Sequence, residues 1–396
     1  MQVQKLASAS EGRLAGLNAG WKPGMSFFGR YSRRVVCEDR PDGRSVKFRL
    51  FCAFGAGLAS AAFAGCSAAS HPSPTDSPAR VIESSRLSMG STLRLTAWTS
   101  DEAAAKAAFE EVFAEFARLE QLMSTWVPGS EVSRLNGAAG VAPVAVSIEM
   151  RGVLDTGRQV SEWTNGKFDV TFGALSGFWK FDHDQKNALP DMREVRRRLA
   201  MIDYRAIQVD NAAGTVFISR KDMSIHLGGI GKGYAIDRGA DILRRREIRD
   251  FMIQSGGDIY VGGLKDGRPW RLGIQDPRGP ADRSFAELDL SDGTFSTSGD
   301  YERAFMKDGR RYHHIVDPAT GEPARGTRSV TIVANRAVIA DGLSTGVFIM
   351  GPAEGMALIE RLPDVEGLIV SARNEVLISS GLRDKIRIVA APTDAP

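Results

Sequence analysis

The chain has 396 residues, 43% hydrophobic and 25% charged, an ordinary globular composition that excludes a fibrous or wholly disordered protein. Its 51 basic and 48 acidic residues leave a net charge of +3, and the basic excess lies before residue 50. The rest is close to neutral, so a nucleic-acid partner is not indicated.

From the N-terminus, the first organised feature is Leu50 to Ala64, apolar and rich in small residues. It follows Arg44, Lys47 and Arg49 and ends in Phe63-Ala64-Gly65-Cys66. Basic, apolar and small in that order is the pattern of a secretory signal. The run is about fifteen residues, short of the ~20 a spanning helix needs, so it reads as a cleaved segment rather than an anchor. Small residues directly before Cys66 look like the lipobox of bacterial lipoproteins, which are cut before the cysteine and acylated on it. Cys37 and Cys52 lie in the removed part and no cysteine follows Cys66, leaving the mature chain no disulfide or thiol chemistry. Residues 1–65 therefore read as an N-terminal extension with a lipoprotein signal peptide. Their length and the acids Glu38, Asp39 and Asp42 point to a later start such as Met25, while Ser32-Arg33-Arg34 gives a faint twin-arginine signal. Residues 66–79, rich in Ser, Pro and Ala, read as a lipidated flexible tether, with the folded domain at 80–396.

Alternation from Val81 to Ala97, interrupted by Met89-Gly90-Ser91, predicts strands, and apolar positions 109, 112, 113, 116, 119 and 122 predict a helix over 101–123. Further helices are predicted at 147–164, 192–201, 233–245, 341–349 and 353–361. Strands are predicted at 206–209, 215–218, 251–254, 270–274, 285–290, 293–297, 329–333, 367–370 and 376–379. Many strands are a hairpin turn apart, which predicts an α+β fold with mixed or antiparallel sheets and packed helices rather than a doubly wound parallel sheet.

Several clusters can carry chemistry. His226-Leu-Gly-Gly-Ile-Gly-Lys-Gly-Tyr234 is expected between a strand ending at Ile225 and a helix beginning near Gly233. Glycines there let backbone N–H groups approach a phosphate, and Lys232 is either its clamp or a solvated surface charge. Gln254-Ser-Gly-Gly-Asp258 and Ser296-Thr-Ser-Gly-Asp-Tyr301 offer close backbone, hydroxyls and an anion nest, or simply turns. Asp341-Gly-Leu-Ser344-Thr345 puts a carboxylate and two hydroxyls on one helix face, expected at a helix start. Such a hard-oxygen set suits Mg²⁺ completed by phosphate and water, or an N-cap with incidental hydroxyls. Tyr312-His-His-Ile-Val-Asp-Pro-Ala-Thr-Gly321 pairs two of the chain's five histidines, each a candidate base or a structural residue.

Taken in order, these segments resemble the FAD:protein FMN transferase family, also called the ApbE family. The resemblance runs through Met89-Gly-Ser91, Ser124-Thr-Trp126, Gly166-Lys-Phe-Asp169, Leu227 to Tyr234, Gly256-Gly257, Ser296 to Gly299, His314 to Gly321 and Ala340 to Gly346, nearly all of the mature chain. It implies two lobes forming an FAD cleft, with Met89, Trp126, Lys167, Phe168, Asp169, Lys232 and Val316 contacting FAD. Mg²⁺ would be held by the Gly229 carbonyl, Asp341 and Thr345, with Ser344 close by. A threonine or serine hydroxyl of an acceptor protein would attack the phosphorus attached to riboflavin, His314 would take its proton, and AMP would leave. The chain departs from the family at His226, where many members carry an acid; His226 is a candidate contact for ribose or phosphate and a rival to His314 as base. The implied acceptors are exported or membrane redox proteins carrying a Ser/Thr flavinylation motif. The expected location is the periplasmic face of a bacterial inner or outer membrane, through lipid on Cys66. The alternatives are an FAD pyrophosphatase giving FMN and AMP, a non-catalytic flavin-binding lipoprotein, and a lipoprotein without a ligand.

Overall fold

The computed structural model describes residues 78–181 and 187–395. The expected signal peptide, the lipid site at Cys66 and the tether to Ser77 lie outside the described residues. Strands β1 (Arg80–Ser88) and β2 (Ser91–Thr99) form a hairpin closed by Met89 and Gly90, with φ of 49° and 74°. That left-handed pair matches the twist of the strands in a two-residue turn. Glycine adopts it freely; Met89 adopts it against repulsion from its own Cβ, and its N–H is tied to the Glu120 carboxylate at 3.2 Å.

Helix α1 (Glu102–Met123) starts where Asp101 accepts the Ala104 N–H at 2.9 Å, and it buries Phe109, Val112, Phe116 and Leu119 on one stripe. Then come α2 (Glu131–Gly137), β3 (Val144–Ala145), α3 (Ile148–Trp163), α4 (Met192–Leu199), β4 (Ile207–Asp210), β5 (Thr215–Ile218) and α5 (Gly231–Arg245). Next are β6 (Phe251–Ser255), β7 (Asp258–Gly262), β8 (Trp270–Gln275), β9 (Ser284–Leu290), β10 (Gly293–Gly299), β11 (Ala304–Lys307) and β12 (Arg310–His313). The chain continues through β13 (Thr327–Ala334), α6 (Ala337–Met350), α7 (Pro352–Ile359), β14 (Val365–Ser371), β15 (Val376–Ile378) and β16 (Ile386–Ile388).

The main sheet runs β1-β2-β6-β7-β10-β13-β14-β15, and every pair in it is antiparallel. Strand alternation gives it two apolar faces. Leu93, Leu95, Phe251, Ile253, Val330 and Ile332 join α1, α5 and α6 in the main core. Ile259, Val261, Phe295, Leu368 and Val370 pack instead with Trp270, Leu272, Ile274 and Phe285 of the β16-β9-β8 sheet. The α+β expectation with antiparallel sheets is met.

Helix α6 is apolar on almost every side and buried along most of its length, yet it carries Asp341 and Ser344 inside. It begins at Ala337, four residues before the predicted start, so Asp341 lies on the second turn and is not an N-cap. The start is capped from α5 by Asp237, whose carboxylate accepts the N–H groups of Ala337 at 2.7 Å and Val338 at 3.1 Å. The strand predicted to end at Ile225 is also absent. A single bridge joins Ser224 to Phe172, and the Asn136 side chain takes up both polar backbone groups of Ile225, at 2.7 and 2.9 Å.

Candidate functional site

The glycine turn before α5 is shaped by how closely α5 crosses α6. A Cβ on Gly233 would lie 2.3 Å from the Ala337 carbonyl oxygen and 2.8 Å from Asp341 Cβ, so only glycine permits the crossing. The bare backbone instead donates the Gly233 N–H to Asp341 Oδ2 at 2.9 Å. One turn earlier, a Cβ on Gly229 would lie 3.5 Å from the Thr345 hydroxyl and 3.2 Å from the Phe168 ring. Gly229 and Gly233 are thereby brought against Thr345 and Asp341, more than a hundred residues later in the chain, with Phe168 as a wall.

Beneath them runs a chain of polar side chains. Lys232 Nζ meets Asp258 Oδ2 at 2.6 Å, and the other Asp258 oxygen accepts the Ser296 hydroxyl. Ser296 Oγ is 3.4 Å from Ser344 Oγ, Ser298 Oγ is 2.8 Å from Ser344 Oγ, and Ser298 Oγ is 3.4 Å from Thr345 Oγ1. Ser344 donates to the Asp341 carbonyl at 2.9 Å, so its hydroxyl is turned into the helix and Thr345 is the hydroxyl beside Gly229.

Burial alone would strip the proton from Lys232, but Asp258 and Asp341 outweigh it and hold the ammonium charged. Asp341 shows the opposite balance: burial, then the Asp258 charge, raise its carboxyl well above the usual range. One ammonium thus serves two buried carboxylates, Asp258 and Asp341. One carboxylate, a hydroxyl and a glycine backbone fit a hard divalent ion that draws its other ligands from phosphate and water. Among the described residues no three His, Cys, Asp or Glu side chains converge, so the donor set is not of the zinc type.

His313 closes β12 inward, with Nε2 on the Ala324 carbonyl at 2.7 Å and its ring edge-on to Phe348. His314 follows directly after the end of β12. Burial first, then the charges of Arg303, His313 and Lys232, push it down to about 3, so it is neutral at neutral pH and a weak base until negative charge is brought beside it. His226 is also kept neutral, by burial and then by Arg303. Its Nδ1 accepts the Gly228 N–H at 3.1 Å, which places the proton of the neutral ring on Nε2. In that tautomer His226 is a donor, so it ranks below His314 as the base.

The other predicted contacts are distributed as follows. Trp126 stands 86% exposed just beyond the end of α1, the end to which Glu120 ties Met89. Lys167 is paired with Asp317 at 2.9 Å, joining its segment to the Asp-Pro-Ala-Thr-Gly turn. Phe168 is buried under Gly229 and Gly346. Both Asp169 oxygens are engaged within the protein, by Thr171 and by the Tyr204 N–H at 2.8 Å. Val316 is buried with Leu175 and Val195 in a satellite cluster, and its backbone bridges to Pro323. A cavity of about 360 Å³ opens beside Asp169, Tyr204, Arg220 and Pro318, and neither Lys232, His314 nor Asp341 lines it.

Sequence reasoning missed two residues. Asp258 lay inside a cluster it singled out, but its pairing with Lys232 depends on the sheet. Arg303 had no signal, and its charge bears on His226, His314 and Lys232.

The ApbE family model matches residues 89–369. The FAD:protein FMN transferase of Treponema pallidum (strain Nichols) is 33% identical over 331 residues, covering 79% of this chain and 91% of that protein. The solved ApbE protein of Thermotoga maritima superposes with a TM-score of 0.72 at 32% identity, covering 78% of this chain and all of that one. The flavin transferase ApbE of Vibrio cholerae does so with a TM-score of 0.70 at 29% identity and the same coverage.

Proposed function

The chain belongs to the ApbE family, and from that premise we propose that it transfers FMN from FAD to a threonine or serine hydroxyl of another protein and releases AMP. The observation that carries this reading is the placement of the glycine turn on α6, where Gly233, Gly229, Thr345 and Asp341 meet over the Lys232–Asp258 pair. The N-cap residue of α5, Ile230, offers the helix no side-chain hydrogen bond, and beside the Gly233 N–H that Asp341 takes, this helix end is a seat for a pyrophosphate. Lys232, held charged, fixes that group, and the exposed Trp126 ring offers a stacking face to a flat part of the substrate. His314 takes the proton as the acceptor oxygen bonds to the phosphorus that carries riboflavin. The bond from that phosphorus to the bridging oxygen breaks, and AMP departs with that oxygen. Asp341, Thr345 and the Gly229 carbonyl are the residues that would hold Mg²⁺, which when bound withdraws charge from the pyrophosphate.

The test is incubation with FAD, Mg²⁺ and a candidate acceptor, read as a fluorescent acceptor band together with AMP. Asp341→Ala should abolish the band; labelling at the wild-type rate would remove the metal assignment. FMN released at the same rate with and without acceptor would mark a hydrolase.

The sequence around Cys66 supports export and a lipid tether, which would keep the site near a membrane and select exported or membrane-bound acceptors. No helix among the described residues is long and apolar enough to cross a membrane. Cys66→Ser should release the protein from membranes in cell fractionation.

A further inference from the structure

Two cations stand beside two adjoining turns at this site. A Cβ on Gly90, at the tip of the β1–β2 hairpin, would lie 3.7 Å from Nη2 of Arg303. A Cβ on Gly256, in the β6–β7 turn, would lie 3.7 Å from Nζ of Lys232 and 3.7 Å from Cβ of Ser91. Ser91 Oγ stands 3.0 Å from Ser255 Oγ and locks the two turns together. The β1–β2 turn, with the Arg303 guanidinium at Gly90, therefore adjoins the β6–β7 turn, with the Lys232 ammonium at Gly256.

Arg303 is also anchored to the candidate base. Its carbonyl accepts the His314 N–H at 3.1 Å, next to the Ala304–His313 pair that closes the β11–β12 hairpin. Its charge makes His226, His314 and Lys232 each harder to protonate.

Resting on the FAD reading above, we propose that Arg303 is a substrate-binding residue that grips the pyrophosphate of FAD together with Lys232. The two cations have different tasks. Lys232 is a point charge already held by Asp258, whereas the guanidinium is a planar fork of donors suited to two phosphate oxygens at once. Arg303 lies at the exposed rim, and Lys232 on the inner wall. Glycine at position 90 keeps the space beside the guanidinium clear.

The experiment is calorimetric titration of the full chain in Mg²⁺ buffer with FAD, ADP and riboflavin. ADP carries a pyrophosphate without the flavin, and riboflavin carries the flavin without phosphate. Arg303→Ala should raise Kd for FAD and ADP about tenfold or more, and leave riboflavin within about twofold. Arg303→Lys should restore part of that loss. FAD and ADP affinities unchanged in Arg303→Ala, or a loss shared equally by all three ligands, would overturn the assignment. A wild-type chain that binds neither FAD nor ADP would overturn the FAD reading and the inference together, an outcome separable from wild-type binding that the variant does not alter.

Discussion

Replacing Gly233 with alanine tests whether the site depends on the close crossing of α5 and α6. The new methyl would lie 2.3 Å from the Ala337 carbonyl oxygen and 2.8 Å from Asp341 Cβ, where ordinary contact begins at 3.4 Å. A backbone oxygen cannot swing aside, so the helices must part by roughly 1 Å. Overpacking of this kind costs about 1–3 kcal/mol. The better helix propensity of alanine returns about 1 kcal/mol, which leaves a net loss of up to about 2 kcal/mol. The larger effect should be on chemistry, because moving Asp341 by about 1 Å is expected to slow transfer about 100-fold. Urea unfolding followed by tryptophan fluorescence measures the first quantity, and the rate of acceptor labelling in gel measures the second. Gly152→Ala, on α3 with nothing within 4 Å of the added Cβ, is the matched control. It should gain about 0.5–1 kcal/mol and leave the rate unchanged. Wild-type stability and rate in Gly233→Ala would refute the argument that glycine is needed at this crossing.

Asp258→Asn removes the charge that holds Lys232. Because Lys232 reaches partly into solvent, the expected loss is about 2 kcal/mol, below the ~3–5 of a fully buried pair, with FAD binding weakened as well; an unchanged urea midpoint and Kd would count against the pairing. Asp237 provides a pH dependence. Burial pushes its carboxyl up to about 6, against the bonds it accepts from Ala337 and Val338. The unfolded chain ionises near ~3.9, so between the two values the folded protein holds a proton that the unfolded chain does not. This contribution to stability is full below about pH 4 and is lost as pH rises through about 6. Asp237→Asn should flatten stability against pH across that window by about 1–2 kcal/mol, allowing for partial exposure, and parallel curves for variant and wild type would refute it.

Much of the fold was legible because its signals are local. The apolar stripe of α1, the Asp101 cap and the alternation on either side of Met89-Gly90-Ser91 depend only on near neighbours, and those elements form as expected. The start of α6 was misplaced because its cap comes from Asp237, a hundred residues earlier in the chain. The strand before His226 failed because the side chain of Asn136, not a neighbouring strand, takes up the polar groups of Ile225.

By itself the sequence determined an α+β chain, glycine turns that bring backbone close to a ligand, and the residue types for a hard cation and a base. Those follow from composition, spacing and the freedom of glycine. Only the tertiary structure decided that Lys232 answers Asp258, that Asp341 is buried close to a second carboxylate, that Nδ1 of His226 is occupied, and that Arg303 stands beside Gly90. The physical reason is that charge balance and hydrogen-bond occupancy belong to groups within a few ångströms of one another, and here sheet register and the crossing of two helices set those distances.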